Sequence, residues 1–191
     1  MHYTDPSLMP SKLVIPETLP SGITKLTNCR LIRGTDVVEQ DIWISSETGT
    51  ILPAQAIFFE CHLAPDCVVD LNGRIVSPGF IDVQFNGAYG FDFSHFEDPE
   101  SYQDGIRQLN LKLLQTGLTS YLPTIITQQP KLYHKALPYL AASGAGRCAA
   151  DGAESLGAHV EGPFMNPVKK GVHNLDTLRT APRGMESLEA C

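Results

Sequence analysis

Pro78-Gly79-Phe80-Ile81-Asp82-Val83-Gln84-Phe85 is where the pattern of the chain changes. It is a short apolar run that ends in polar residues, and the chain beyond it alternates helix with strand. Asp98 can cap a helix whose first position is Pro99. Tyr102, Ile106, Leu109 and Leu113 then recur at helical spacing and mark one face. Gly117 stands where a C-terminal cap belongs. Leu118 to Thr127 reads as a second, buried-type strand, and a less regular helix spans roughly Lys131 to Ala142, with Pro138 expected to kink or end it. Leu156 to Glu161 reads as a third strand, with room for a helix beyond it. Residues 77–191 therefore read β-α-β-α-β, which implies a parallel sheet with right-handed crossovers. Each strand ends in polar or glycine-rich sequence, and in parallel α/β folds that carboxyl edge is where ligands bind.

Upstream of Pro78 the reading is different. Residues 1–22 are rich in Pro and Ser and read as a flexible tail. Residues 23–76 read as a small β module. Leu26 to Ile32 and Val37 to Ile44 are expected as strands joined by the turn Gly34-Thr35-Asp36. Val68 to Leu71 and Arg74 to Val76 flank Asn72-Gly73, a pair that supplies the positive φ angles of a tight hairpin turn.

Composition narrows the function classes. A net charge of -7 argues against nucleic acid or an anionic membrane surface as the main partner. Lys169, Lys170 and Arg179 remain candidates for a local phosphate contact. The five cysteines show no Cys-x-x-Cys spacing, which argues against a disulfide framework and a cysteine-rich zinc site. Free thiols, the lack of a long apolar run near the start and the lack of an Asn-x-Ser/Thr acceptor fit a cytoplasmic protein.

Three segments could carry chemistry. In His159-Val160-Glu161-Gly162-Pro163, strand alternation puts His159 and Glu161 on one side of the third strand. A glutamate at that end can ligate a divalent metal, whereas an isolated strand-end carboxylate more often caps a turn or pairs with a lysine. In Asp82-Val83-Gln84-Phe85-Asn86-Gly87, Asp82 and Gln84 share a face. They could orient a metal or a substrate, or simply satisfy backbone groups, with Asn86-Gly87 as a turn. In Lys169-Lys170-Gly171-Val172-His173-Asn174, His173 could bind substrate, act as an acid or base, or ligate metal. An exposed loop histidine is the plainer reading. There is no Gly-x-Ser-x-Gly elbow, Walker loop or Gly-x-Gly-x-x-Gly.

Taken in order, these segments resemble one family. The β module followed by Val76-Ser77-Pro78-Gly79-Phe80-Ile81-Asp82 looks like the entry to an amidohydrolase-superfamily barrel. Most of that superfamily carries His-x-His on the first strand. Asp82-x-Gln84 in its place, with Asn86-Gly87 after it, resembles the N-acetylglucosamine-6-phosphate deacetylases. Gly117 to Thr124 is similar to that family's second strand. His159 to Phe164, followed by Asn166, Lys169-Lys170-Gly171 and His173, is similar to its third strand and the loop after it. The implied fold is α/β: the N-terminal part of a (β/α)8 TIM-like barrel preceded by a small β-sandwich module, with residues 77–191 giving the first three β-α units. The implied activity is metal-dependent hydrolysis of N-acetylglucosamine 6-phosphate to glucosamine 6-phosphate and acetate, in amino-sugar catabolism. The resemblance implies Glu161 as a metal ligand, zinc as the divalent cation, and Val172 (through its backbone), His173 and Gln84 as substrate-binding residues. It also implies a homodimer for the full-length family.

The chain departs from the family in extent. An eight-stranded barrel needs about 250 residues, and only about 115 run from Ser77 to the end of the chain. The family completes its metal site with two histidines on later strands and takes its general acid/base aspartate from later still. No histidine follows His173, and Asp176, Glu186 and Glu189 sit in no matching motif. The chain alone is therefore expected to be inactive, with that aspartate beyond Cys191. An alternative is a non-catalytic product acting as an interaction or regulatory partner, since open strand edges invite association. A dihydroorotase-like amidohydrolase is a third reading, and Asp82-x-Gln84 counts against it.

Overall fold

The computed structural model describes residues 22–190. The expected tail, residues 1–22, lies outside these but for Gly22. The chain divides into two compact units, Met1–Pro78 and Gly79–Cys191.

The first unit is built from strands β1 (Ile23–Thr27), β2 (Arg30–Arg33), β3 (Asp36–Glu39), β4 (Ile42–Ser45), β5 (Ile51–Leu52), β6 (Cys67–Asp70) and β7 (Ile75–Val76). They form two sheets, β5-β4-β1-β6 and β3-β2-β7. Leu26 to Ile32 is not one strand. It breaks at Asn28, whose φ of 51° is a left-handed conformation that Asn tolerates better than most residues. Cys29 is buried beside it, and its Sγ donates to Gln40 O at 3.1 Å. Val37 to Ile44 breaks likewise, between β3 and β4.

The hairpin expected around Asn72-Gly73 does not form. Asn72 and Gly73 do have positive φ, 51° and 72°. Yet β6 pairs parallel with β1 and β7 pairs parallel with β2, so the two strands serve different sheets. The reason lies in the hydrogen bonds. Gly73 N–H donates to Asn28 O at 2.7 Å and Asn28 Nδ2 donates to Asp70 Oδ1 at 2.9 Å, so one left-handed break docks on the other. Strands that bend between sheets make the corners of orthogonally packed β folds. The core of this unit holds Ile23, Trp43, Leu52 and Ile57, the last from a single π-helical turn, Ala56–Glu60.

The second unit contains β8 (Phe80–Phe85), β9 (Gly87–Ala88), β10 (Phe91–Asp92), α1 (Pro99–Leu113), β11 (Leu118–Ile126), α2 (Pro130–Ala136), β12 (Glu154–Ser155), β13 (His159–Glu161) and α3 (Met185–Glu189). Asp98 Oδ1 accepts from the N–H groups of Glu100 and Ser101 at 3.0 Å each, capping α1 behind Pro99. Tyr102, Leu109 and Leu113 are buried along its face. A tightened turn, Leu114–Thr116, ends the helix at Gly117, whose φ of 81° releases the chain into β11. Helix α2 passes into another tight turn at Leu137–Tyr139, where Pro138 removes a helical donor.

β8, β12 and β13 all run parallel to β11. Glu154 and Ser155 pair with Ser120 and Tyr121, and His159, Val160 and Glu161 pair with Thr124, Ile125 and Ile126. The third strand is thus one interrupted path alongside the second. Pro123 has no N–H to give the sheet, and the register between β8 and β11 shifts between Tyr121 and Pro123. A short hairpin, β9–β10, adds to the elements expected from sequence. Its turn residues Tyr89 and Gly90 both have positive φ, as a tight hairpin requires. The core packs Phe93, Tyr102, Leu109, Leu113, Tyr121 and Ile125 between helices and sheet. The apolar run of β8 is not covered: Phe80, Ile81 and Val83 are 60–66% exposed.

Candidate metal and substrate site

Glu161 is the last residue of β13, at the carboxyl end of the parallel sheet. Gly162 follows with a φ of 101°, and a Cβ there would lie 2.5 Å from Thr127 Oγ1. The glycine therefore lets the chain turn away while the ends of β11 and β13 stay in contact. The Gly162-Pro163 peptide is cis.

The loop after β13 returns His173 to that strand end. His173 is only 6% exposed, so it is not the free loop histidine that would otherwise be expected. Its Nε2 lies 3.5 Å from Glu161 Oε1. Its Nδ1 meets both the hydroxyl and the backbone N–H of Thr127, the latter at 3.4 Å. Thr127 Oγ1 is also 3.3 Å from Glu161 O. Glu161, His173 and Thr127 therefore form one connected group. Glu161 takes a histidine as its partner, rather than the lysine or turn cap that its position alone suggests.

His159 extends the group toward the first strand. Its Nδ1 donates to Val83 O at 2.9 Å, and Val83 is flanked by Asp82 and Gln84. Asp82 Oδ1 accepts from Gln84 N–H at 3.0 Å, so this carboxylate satisfies its own strand's backbone. Gln84 is exposed. Val172 is 89% exposed, immediately before the buried histidine.

Two of the three candidate phosphate contacts, Lys170 and Arg179, bond to backbone carbonyls in this stretch. Lys170 Nζ donates to His173 O at 2.9 Å and to Gly171 O at 3.3 Å. Arg179 donates to the carbonyls of Asp176 and Leu178 and to Gln129 Oε1. Lys169 is exposed. Among the described residues, no three His, Cys, Asp or Glu side chains are grouped to hold a metal ion.

Thr127 stands outside the three sequence motifs. It does carry a signal, since it closes the strand Leu118 to Thr127 with a polar residue at the ligand-binding edge. Nothing local to it shows that His173, 46 residues away, becomes its partner.

Relatives place this arrangement in context. The chain is 39% identical over 189 residues to N-acetylglucosamine-6-phosphate deacetylase of Caenorhabditis elegans, covering 95% of this chain and 44% of that protein. It is 39% identical over 158 residues to the Homo sapiens protein of the same name, covering 83% of this chain and 37% of that one. Among solved structures, N-acetylglucosamine-6-phosphate deacetylase from Pasteurella multocida superposes with a TM-score of 0.62 at 26% identity, over 87% of this chain and 41% of that one. No family model matches the chain. The chain is thus related to the N-terminal portion of the N-acetylglucosamine-6-phosphate deacetylases and spans less than half the length of these relatives.

Proposed function

We propose that this chain forms the N-terminal part of a metal-dependent N-acetylglucosamine-6-phosphate deacetylase in which Glu161 is one metal ligand. The observation that carries the reading is the pairing of Glu161 with a buried histidine at the carboxyl edge of a parallel sheet. β8, β11 and the β12–β13 path are then the first three strands of a (β/α)8 barrel.

The donor chemistry fits a divalent cation in part. Glu161 has 33% of its side chain exposed and is a hard oxygen donor suited to zinc alongside histidines. The remaining ligands, and the aspartate that moves protons, come from outside this chain. A divalent cation there supplies Lewis acidity toward an amide carbonyl and toward water. This chain's own residues do the positioning. His173 places its Nε2 3.5 Å from the Glu161 carboxylate, and His173, Gln84 and the backbone of Val172 hold the amino sugar. The protein works in the cytoplasm, a reading supported by the free thiols of Cys29, Cys61, Cys67 and Cys148. Among the described residues no helix is long and apolar enough to cross a membrane. The assembled enzyme is a homodimer.

A second reading has its own support. β8 pairs only with β11 among the described residues and leaves Phe80, Ile81 and Val83 exposed. An apolar strand with an open edge favours association with another chain. Acetate release from N-acetylglucosamine 6-phosphate separates the two. The chain should be assayed alone and after joining to the remaining length of the Caenorhabditis elegans relative. Activity in the joined protein, absent from the chain alone, supports the deacetylase reading. A joined protein that folds and takes up zinc but releases no acetate overturns the substrate assignment.

A further inference from the structure

We propose that Asp82 and His159 are positioning residues that clamp the Val83–Gln84 peptide of a bulge in β8 and thereby hold Gln84 in place. The bulge follows from the register. Tyr121 of β11 pairs with Asp82 and Pro123 pairs with Phe85, so β8 carries one more residue than β11 over that stretch. The partner strand offers little there, because Pro123 has no N–H. The two polar groups of the Val83–Gln84 peptide find side chains instead. Its N–H, that of Gln84, donates to Asp82 Oδ1 at 3.0 Å. Its carbonyl, that of Val83, accepts from the His159 ring at 2.9 Å. One peptide unit is thus held at both ends.

Packing does not do this job, since Val83 is 63% exposed and Gln84 is exposed too. Bulges re-aim side chains, so fixing the peptide fixes the direction in which Gln84 leaves the strand. The two clamping residues differ in reach. Asp82 acts within its own strand, through a local side-chain bond that replaces a ladder partner. His159 comes from β13, which like β8 pairs with β11. Its bond ties the backbone under Gln84 to the strand that carries Glu161. The spacing Asp82-x-Gln84 therefore serves a backbone bond. The clamp stands by itself, whereas its bearing on amino-sugar binding rests on the role proposed above for Gln84.

Amide exchange resolved to single residues tests the clamp without reference to activity. It is measured on the 191-residue chain and on that chain joined to the remaining length of its Caenorhabditis elegans relative. The Gln84 amide should be protected despite its exposure. Asp82→Ala should speed its exchange roughly tenfold, the loss of one hydrogen bond. Asp82→Asn, which keeps an acceptor oxygen, should restore protection. A Gln84 amide that exchanges freely in both wild-type proteins overturns the proposal, whether or not the alanine variant folds. Unchanged protection in a folded Asp82→Ala variant overturns it as well. His159→Leu should move the Val83 carbonyl 13C resonance toward that of a carbonyl without a donor, and an unmoved resonance in the folded variant removes His159 from the clamp. In the joined enzyme, Asp82→Ala should raise KM for N-acetylglucosamine 6-phosphate more than it lowers kcat, and should add nothing on a Gln84→Ala background. Full additivity there would contradict positioning through Gln84. A joined enzyme that takes up zinc but releases no acetate would sink the deacetylase reading and leave the exchange pattern as it stands.

Discussion

The two units of the chain turn sequence into structure in different ways. In the second, each element stays within one layer and is bounded by residues that announce its ends: Asp98-Pro99 before α1, Gly117 after it, and Pro130 at the start of α2. In the first, three strand paths each pass from one sheet to the other within a few residues. Two of the crossings turn on left-handed asparagines, Asn28 and Asn72. A single change in φ leaves the apolar and β-branched pattern untouched on both sides, so a bent strand reads as a straight one. Caps are written locally, whereas sheet switching is written in long-range bonds such as Gly73 N–H to Asn28 O.

Perturbing each unit at its own determinant sharpens this contrast. The largest effect is expected in the second unit. Phe93 is fully buried and packs against Phe85, Phe91 and Tyr121. Phe93→Ala should cost about 3–5 kcal/mol through lost burial and a cavity, read as earlier loss of helical circular dichroism in urea. If that midpoint does not move, the aromatic cluster is not what holds the α/β layers together.

A smaller effect is expected at the first-unit bend. Asn28→Val places a β-branched residue at a φ of 51° and should destabilise this unit by about 1–2 kcal/mol. The fluorescence of Trp43, the single tryptophan, reports on it. A neutral outcome would mean that the strand path can straighten.

Smaller again is Asp41, next to the β3–β4 break. The bond from Lys25, first, and that from Thr27 hold its carboxyl below its ordinary value. A depressed folded pKa means that this stabilisation is present above the ordinary carboxylate pKa near 4 and is lost as pH falls through the lowered value. Because the pair is partly exposed, Asp41→Asn should cost only about 0.2–1 kcal/mol at neutral pH, and the difference from wild type should vanish in acid.

The smallest effect is at the α1 cap. The Ser101 N–H, then its hydroxyl, hold Asp98 below its ordinary value. By the same sign, Asp98→Ala should lower the melting temperature more at neutral pH than below the lowered pKa, where the protonated carboxyl still accepts the two N–H bonds but without its charge. An effect that persists unchanged into acid would assign the loss to something other than the ionised cap.

The site shows the same division between local and long-range signals. Glu161 and His173 stand out as residue types at suggestive places, one at a strand end and one in the loop after it. Their meeting does not, because it depends on how the loop from Gly162 to His173 folds back, with Lys170 and Arg179 bonded to its carbonyls and those just beyond it. Those two cations stand out in the sequence only as candidates for a phosphate contact, because their charge is visible and their partners are not. Thr127 carries no charge and belongs to no motif, yet it touches both His173 and the backbone of Glu161.

The most direct test of the central claim is the metal content of the chain joined to the remaining length of its Caenorhabditis elegans relative, measured by elemental analysis and competitive zinc titration for wild type and Glu161→Gln. The account predicts bound zinc in the wild type and a large loss of affinity in the glutamine variant, with the fold intact by circular dichroism. A folded Glu161→Gln protein that holds zinc as tightly as wild type would contradict it.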